Sequence, residues 1–415
     1  MRIGLVSQWY EPEPGPPRLP GVLARGLAAN GHPVRVLTGY PNYPTGRLYP
    51  GFEMTLRNQT TADGVTVRRV PLYPSHDASP MRRALNYGSF AASATVFGWD
   101  YLGNAEALWF YNSPATVALP VLAARRRSGA RTVMHLMDLW PDSLYASGFA
   151  GADARNGTIG KALERAVSSS YRHVDVIAYI SPGMREVLLD RGVPDSKLAY
   201  VPLWANEDLF RPTPRDEQLA RDLGVENRIV LLYAGALGNV QGLDELVNVC
   251  SRMVDLSEFV CVIAGTGVAE DRLRSRAEEL GLNNMIFLGP QPQSEMPALM
   301  SVGDVHLVSL RTHPMSSVTM PSKIQATLAC GRAIVGAVAG DASSVIAASG
   351  AGWVSPPGDE EALESTIRGA VNLGRAKLAT LGAAGRAYYE QEFSVDVGVG
   401  RIESLLAAAK TAEST

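Results

Sequence analysis

Short apolar runs alternate with helix-forming stretches along nearly the whole chain, and this alternation constrains the fold more than any other feature. Ile3 to Ser7, Val34 to Thr38, Ala107 to Tyr111, Thr132 to His135, Val176 to Tyr179 and Leu198 to Val201 read as strands. Runs this short and this uniformly apolar are covered on both faces, which is the situation of parallel strands joined by crossover helices. A polar, proline-containing stretch, Asn206 to Asp216, interrupts the pattern. It then resumes with Ile229 to Tyr233, Phe259 to Ile263, Met285 to Phe287, Val305 to Ser309, Ala333 to Val338 and Gly352 to Val354. The sequence therefore predicts an α/β protein of two Rossmann-like, doubly wound domains, the first over 1–205 and the second beginning at 206. Such sheets bind ligands at the carboxyl ends of their strands, so the site is expected in a central cleft between the lobes.

Several function classes are disfavoured. A chain of 415 residues can form its core without disulfides, and Cys250, Cys261 and Cys330 lie unpaired in apolar stretches, as in a reduced, cytoplasmic protein. No Cys/His spacing suggests zinc. A net charge of −3 gives no footprint for nucleic acid. The opening MRIGLVSQWY reads as a buried strand rather than a signal peptide, and no run approaches the roughly 18 apolar residues of a membrane span.

The stretch Met320-Pro321-Ser322-Lys323-Ile324-Gln325, entering the small-residue helix Ala326 to Gly331, is built to hold an anion. A Pro-Ser opening starts a helix whose first N–H groups point outward at the positive end of its dipole. Lys323 adds an ammonium there, in a chain with five lysines against 33 arginines. Three glycine-bearing turns follow strands of the second domain: Gly235-Ala236-Leu237-Gly238, Gly265-Thr266-Gly267 and Leu288-Gly289-Pro290. The first leads into a helix from Gln241 through Gly242. Glycine after a strand usually just makes a turn, but together with Ser322-Lys323 these loops suggest a nucleotide-diphosphate site.

In the first domain, the Pro12 to Pro17 loop carries Gly15, where backbone can come close to a ligand. His135 ends an apolar strand, and Asp138, Trp140, Pro141 and Asp142 follow, an arrangement fitting either catalysis and acceptor binding or a satisfied structural histidine. The loop Tyr40 to Arg47, with Asn42 and Tyr43, has the composition of a sugar-stacking loop or of a rigid turn. Met81 to Phe97, with Arg82, Arg83, Tyr87, Phe90 and Phe97, reads as a packed helix, with a membrane-surface or lipid-acceptor contact as the alternative.

Taken in order, Gly39-Tyr40-Pro41-Asn42-Tyr43-Pro44-Thr45-Gly46-Arg47, Pro71-Leu72-Tyr73-Pro74-Ser75-His76, Asp138-Leu139-Trp140-Pro141-Asp142-Ser143, Ser181-Pro182-Gly183-Met184, Tyr233-Ala234-Gly235, Gln241-Gly242-Leu243 and Pro321-Ser322-Lys323 resemble a retaining glycosyltransferase of family 4 with the GT-B fold. The resemblance is nearest to bacterial O-antigen N-acetylfucosamine transferases and spans nearly the whole chain. It implies transfer of a sugar from a nucleotide diphosphate, favouring UDP with an N-acetylated or deoxy sugar, with retained anomeric configuration and no bound metal or other cofactor. The absence of any Asp-x-Asp pair agrees with that. It also implies a second domain over 206–392 and a last helix, about 393–415, crossing back onto the first lobe. His135 would contact the donor sugar and act in catalysis with Lys323. Gly15, Gly235, Ala236, Gly238, Gln241, Gly265 and Gly267 would line the diphosphate. Leu288, Pro290 and Gln291 would hold the base through backbone groups, and Ser322, Lys323, Ile324 and Gln325 would form the helix start at the phosphates. Asn42, Tyr43, Asp138 and Asp142 would receive a glycan, lipid-linked or small natural-product acceptor. Contact with a membrane would be peripheral at most.

The chain departs from the family at four positions. Ala236 and Gln241 stand where an arginine and a lysine are usual, and Val318 and Ala326 where two glutamates are usual. Lys323 is then expected to take over charge neutralisation and Gln325 the ribose contact. A nucleotide-sugar epimerase on the same fold and a catalytically silent nucleotide-sugar binder are the rival readings.

Overall fold

A computed structural model describes residues 1–15, 18–56, 58–76, 79–143, 157–312 and 315–408. Pro16 and Pro17 of the first-domain loop and the tail from 409 lie outside these. The chain forms two compact units, Met1–Val201 with Gly398–Thr415, and Pro202–Val397. The divisions fall a few residues from those read in the sequence.

The N-terminal unit is built on an eight-stranded sheet. Its strands are β1 (Ile3–Val6), β2 (Val34–Gly39), β3 (Asn58–Ala62), β4 (Val65–Val70), β5 (Ala107–Tyr111), β6 (Arg131–Leu136), β7 (Val176–Tyr179) and β8 (Leu198–Tyr200). Their order is β3-β4-β2-β1-β5-β6-β7-β8. Every pairing is parallel except β3 with β4. The predicted strands are present. The hairpin β3–β4 is additional: Asp63 and Gly64, both at positive φ, make its two-residue turn. β3, Asn-Gln-Thr-Thr-Ala, forms the edge and buries no apolar side chain, so hydropathy alone does not reveal it. In the centre, all five residues of β5 are buried, which requires cover on both faces.

The second unit has a six-stranded, wholly parallel sheet in the order β11-β10-β9-β12-β13-β14. These are β9 (Ile229–Ala234), β10 (Phe259–Ala264), β11 (Met285–Gly289), β12 (Val305–Ser309), β13 (Ala333–Ala337) and β14 (Gly352–Ser355). Alternate side chains of β9 feed two core layers: Leu231 and Tyr233 pack with Leu246, Val249 and Ile367, while Val230 and Leu232 pack with Leu299 and Val302.

Each sheet has one place where the chain reverses its direction of growth: between β1 and β5 in the first, and between β9 and β12 in the second. Loops leaving neighbouring strands there diverge to opposite faces and open a crevice at the strands' carboxyl ends. The last helix, Val395–Ala407, ends within the N-terminal unit. There Glu403 accepts hydrogen bonds from Asn30 Nδ2 at 2.6 Å and lies 2.8 Å from His32 Nε2, and Arg131 donates to the Leu405 carbonyl at 2.7 Å.

Candidate active site

In the second unit the reversal point is made almost entirely of backbone. Gly235 and Gly265 end β9 and β10 at φ +144° and +140°. A Cβ on Gly265 would stand 1.9 Å from the Gly235 carbonyl oxygen, and one on Gly267 would stand 2.4 Å from that of Leu237. Gly235 N–H donates to Ala264, Leu237 N–H to Thr266 and Gly265 N–H to Gly289. Three consecutive loops therefore stack main chain on main chain, and side chains are excluded by contact as well as by φ.

Lys323 enters this floor from the first turn of the helix Ser322–Ala329, which follows extended Pro321. Its Nζ donates to the Tyr233 hydroxyl at 3.1 Å and lies 4.6 Å from the centre of that ring. A Cβ on Gly235 would be 2.8 Å from the ammonium, so glycine makes room for it. Among the described residues no carboxylate pairs with Lys323, and burial lowers its pKa from the usual 10.5 to about 8. A partly buried ammonium with no counterion, beside a helix N-terminus, is suited to an anionic ligand.

Several residues expected at this site are otherwise engaged. The Ala236 carbonyl accepts from Tyr233 Oη at 2.7 Å. Gln241 turns its Oε1 onto Gly238 N–H at 3.0 Å, bracing its own loop and removing that N–H as a ligand donor. Ile324 is core, its N–H bonded to the Pro321 carbonyl at 3.0 Å. Gln325 is buried, with Oε1 accepting no hydrogen bond. Gln291 Nε2 closes onto the Leu288 carbonyl at 3.0 Å, while Pro290 and Ser322 are exposed.

Basic side chains stand near the Gln241 loop. Arg311, just past β12, donates its N–H to the Val240 carbonyl at 2.8 Å and its guanidinium to Asp244 at 2.9 Å. Asp244 also holds Arg272 at 3.0 Å, so one carboxylate serves two guanidinium groups and the cluster keeps a net positive charge. Sequence spacing does not signal this, because the three residues come from separate loops and helices.

In the N-terminal unit, Glu13 is buried and accepts three backbone hydrogen bonds, from Tyr10 at 3.0 Å, Asn42 at 2.7 Å and Tyr43 at 2.8 Å. It ties the loop after β1 to the loop after β2. Burial raises its pKa, and the N–H groups oppose the shift. Asn42 is buried and engaged with the Tyr40 carbonyl and Asn86, so it supports the site rather than facing an acceptor. Tyr43 remains at the surface of a chain of rings: Trp9 at 6.0 Å and His76 at 4.7 Å, then Tyr87 at 6.1 Å from Trp9 and Trp140 at 6.4 Å from Tyr87. Gln8 Oε1 and Asn112 Oδ1, beside the reversal point, are buried acceptors without a hydrogen-bond partner.

His135 is core, and its Nδ1 has no hydrogen-bond partner. It is wholly buried under Trp109, its Nε2 lies 3.0 Å from the Val201 carbonyl, and burial lowers its pKa to about 4. The open group is Asp138, which receives a hydrogen bond from Ser113 Oγ at 3.2 Å; desolvation by the protein around it raises its carboxyl. Asp142 forms an ion pair with Arg191, which also donates to the Trp140 carbonyl at 2.9 Å, so it pins the Trp-Pro loop. Gly15, at φ +75° and exposed, has open space at its Cβ position.

Known proteins resemble this chain along most of its length. Residues 16–204 match the glycosyl transferase 4-like domain, and 215–387 match the glycosyl transferases group 1 domain. The chain carries the paired domains of a glycosyltransferase. WcaI of Escherichia coli (strain K12), by name a colanic acid biosynthesis glycosyl transferase, is 29% identical over 341 residues, covering 80% of this chain and 82% of that protein. The crystal structure of Anabaena HepE in complex with UDP matches at TM-score 0.71 and 16% identity, over 99% of this chain and 100% of that one. Sucrose-phosphate synthase from Thermosynechococcus elongatus matches at TM-score 0.67 and 16% identity, over 98% of both chains. These likenesses show the GT-B fold in this glycosyltransferase.

Proposed function

We propose that this glycosyltransferase takes an N-acetylated or deoxy sugar from a UDP-sugar and transfers it with retention and without a metal ion to a hydroxyl of a glycan, lipid-linked or small natural-product acceptor. The observation that carries the reading is Lys323, an ammonium with no carboxylate partner among the described residues, held over Tyr233 between the Gly235 turn and a helix N-terminus. UDP is favoured by its presence in the HepE complex, and a polysaccharide acceptor by the name of WcaI.

The diphosphate would lie against Lys323, with the Asp244-bridged Arg311 and Arg272 adding positive potential. This arrangement stabilises the leaving oxygen as the bond from the anomeric carbon to phosphate breaks. The acceptor oxygen forms its new bond on the same face of the sugar and passes its proton to the departing phosphate oxygen. No protein nucleophile is then required, and the residues contribute orientation and charge stabilisation. Tyr43, Trp9 and Tyr87 would stack on the acceptor, and Asp138 would accept from its hydroxyls.

The test is thermal stabilisation by UDP, GDP, ADP and TDP, followed by turnover with and without an acceptor. Stabilisation by UDP and acceptor-dependent release of UDP support the proposal. Conversion of the sugar nucleotide in the absence of acceptor indicates an epimerase, and binding without turnover a silent binder. Either result refutes it.

A further inference from the structure

The helix Pro80–Gly98 of the N-terminal unit turns an uncharged face to solvent. Phe90 faces inward and is buried, and Tyr87 joins the ring chain, so the aromatic residues first singled out are not the exposed ones. The exposed stripe is Met81, Leu85, Gly88, Ala92, Val96 and Trp99, in steps of three and four residues. At 100° and 1.5 Å per residue these positions share one narrow face about 27 Å long. Met81 is 75% exposed, Leu85 52%, Val96 65% and Trp99 45%. Of the eleven large apolar side chains exposed among the described residues, four therefore belong to this single stripe.

The charges around it are mostly basic; the exposed Asp100 next to Trp99 is paired with Arg68 at 3.2 Å. No acidic residue occurs from Ser79 to Trp99. Arg82 is exposed beside Met81 at one end. At the other end, Arg126 and Arg127 of the helix Ala118–Ser128 are exposed, and the Arg127 guanidinium lies 4.9 Å from the Trp99 ring. Leu119 on that same neighbouring helix is a further exposed apolar residue. A straight apolar line bracketed by arginines, with a tryptophan at one end, matches a bilayer interface, where acyl chains take the apolar face and anionic headgroups the guanidinium groups. No described helix is long and apolar enough to cross a membrane, so the contact lies in the plane of the surface.

We infer that the stripe Met81–Trp99 with its flanking arginines docks this protein on an anionic lipid surface. The inference does not depend on the donor reading above, and UDP binding serves as an independent control. The experiment is flotation of the full chain with vesicles of phosphatidylcholine alone and of phosphatidylcholine with phosphatidylglycerol, at low and high salt. The chain is expected to float with the anionic vesicles and to release at high salt. Arg126→Glu should weaken binding about fivefold or more, and Leu85→Glu with Val96→Glu about tenfold or more. Tm and UDP binding should stay unchanged in both. If Leu85→Glu lowers Tm, Met81→Glu replaces it. Equal flotation of the variants and the parent, or equal binding to neutral vesicles, overturns the inference. So does failure to float together with a concentration-dependent dimer that the same glutamates abolish, which would assign the stripe to a second copy of the chain.

Discussion

Replacing Lys323 with methionine is expected to move two observables in opposite directions. In the free protein no carboxylate among the described residues pairs with the ammonium, and burial lowers its pKa from 10.5 to about 8. That displacement corresponds to a destabilisation of roughly 3 kcal/mol, of which the contact with the Tyr233 ring offsets about 1 kcal/mol. Methionine keeps the length of the side chain and removes the charge, so the unliganded variant should gain about 2 kcal/mol, or roughly 4–8 °C in the Tm of a unit this size. The gain depends on pH in a defined sense. Below pH 8 the lysine is protonated in both the folded and unfolded states, and the penalty stands in full. As pH rises from 8 towards 10.5 the folded state sheds a proton that the unfolded state retains, and the advantage of the variant shrinks to nothing. UDP affinity should fall by about 2–4 kcal/mol, because a charge contact to phosphate has gone. Scanning calorimetry from pH 7 to pH 10.5 measures the first effect, and titration calorimetry with UDP the second. A variant that is less stable when free and binds UDP as tightly as the parent would refute the assignment of Lys323 to the anion site.

Gly265→Ala places a methyl 1.9 Å from the Gly235 oxygen at φ +140°, so a loss of at least about 3 kcal/mol is expected in thermal unfolding, with UDP binding impaired wherever the chain still folds. Glu13→Ala leaves three buried N–H groups without an acceptor and should cost about 2–4 kcal/mol, read in denaturant titrations; Glu13→Gln should recover part of it. His135→Phe is expected to lower stability by about 1–3 kcal/mol while kcat changes little, and with a pKa near 4 the histidine should give no limb to the pH–rate profile between pH 6 and 8. Asp138→Asn should raise the KM for the acceptor while leaving UDP affinity unchanged, as two titrations would establish.

The strands were legible because each is a short apolar run wrapped on both faces, where burial leaves the residue types little freedom. The hairpin β3–β4 was not, since Asn58 to Ala62 carry no apolar signal and Val65 to Val70 include two arginines; its only mark was the Asp63-Gly64 turn. At the site, Pro321-Ser322-Lys323 and the three glycine turns could be read because helix starts and positive φ leave local signatures. Tyr233 could not be read as the lysine's partner, as 90 residues separate them. Arg311 and Glu13 act across loops that only the folded sheets bring together. His135 illustrates the opposite error. A histidine at the end of an apolar strand looked available, but β6 is covered on both faces, so His135 is core and Asp138, past the strand's end, is the exposed group.

The interlocked turns at Gly235, Gly265 and Gly267 also determine where this enzyme can diversify. A side chain on Gly265 or Gly267 strikes the carbonyl of a neighbouring loop and one on Gly235 strikes Lys323, so mutation cannot reshape the proposed diphosphate floor in small steps. Change in donor preference has to come from the rim, where Pro290, Ser322 and the space around Ala236 tolerate new atoms. A directed-evolution library for new sugar donors would therefore hold the glycines fixed and randomise those rim positions.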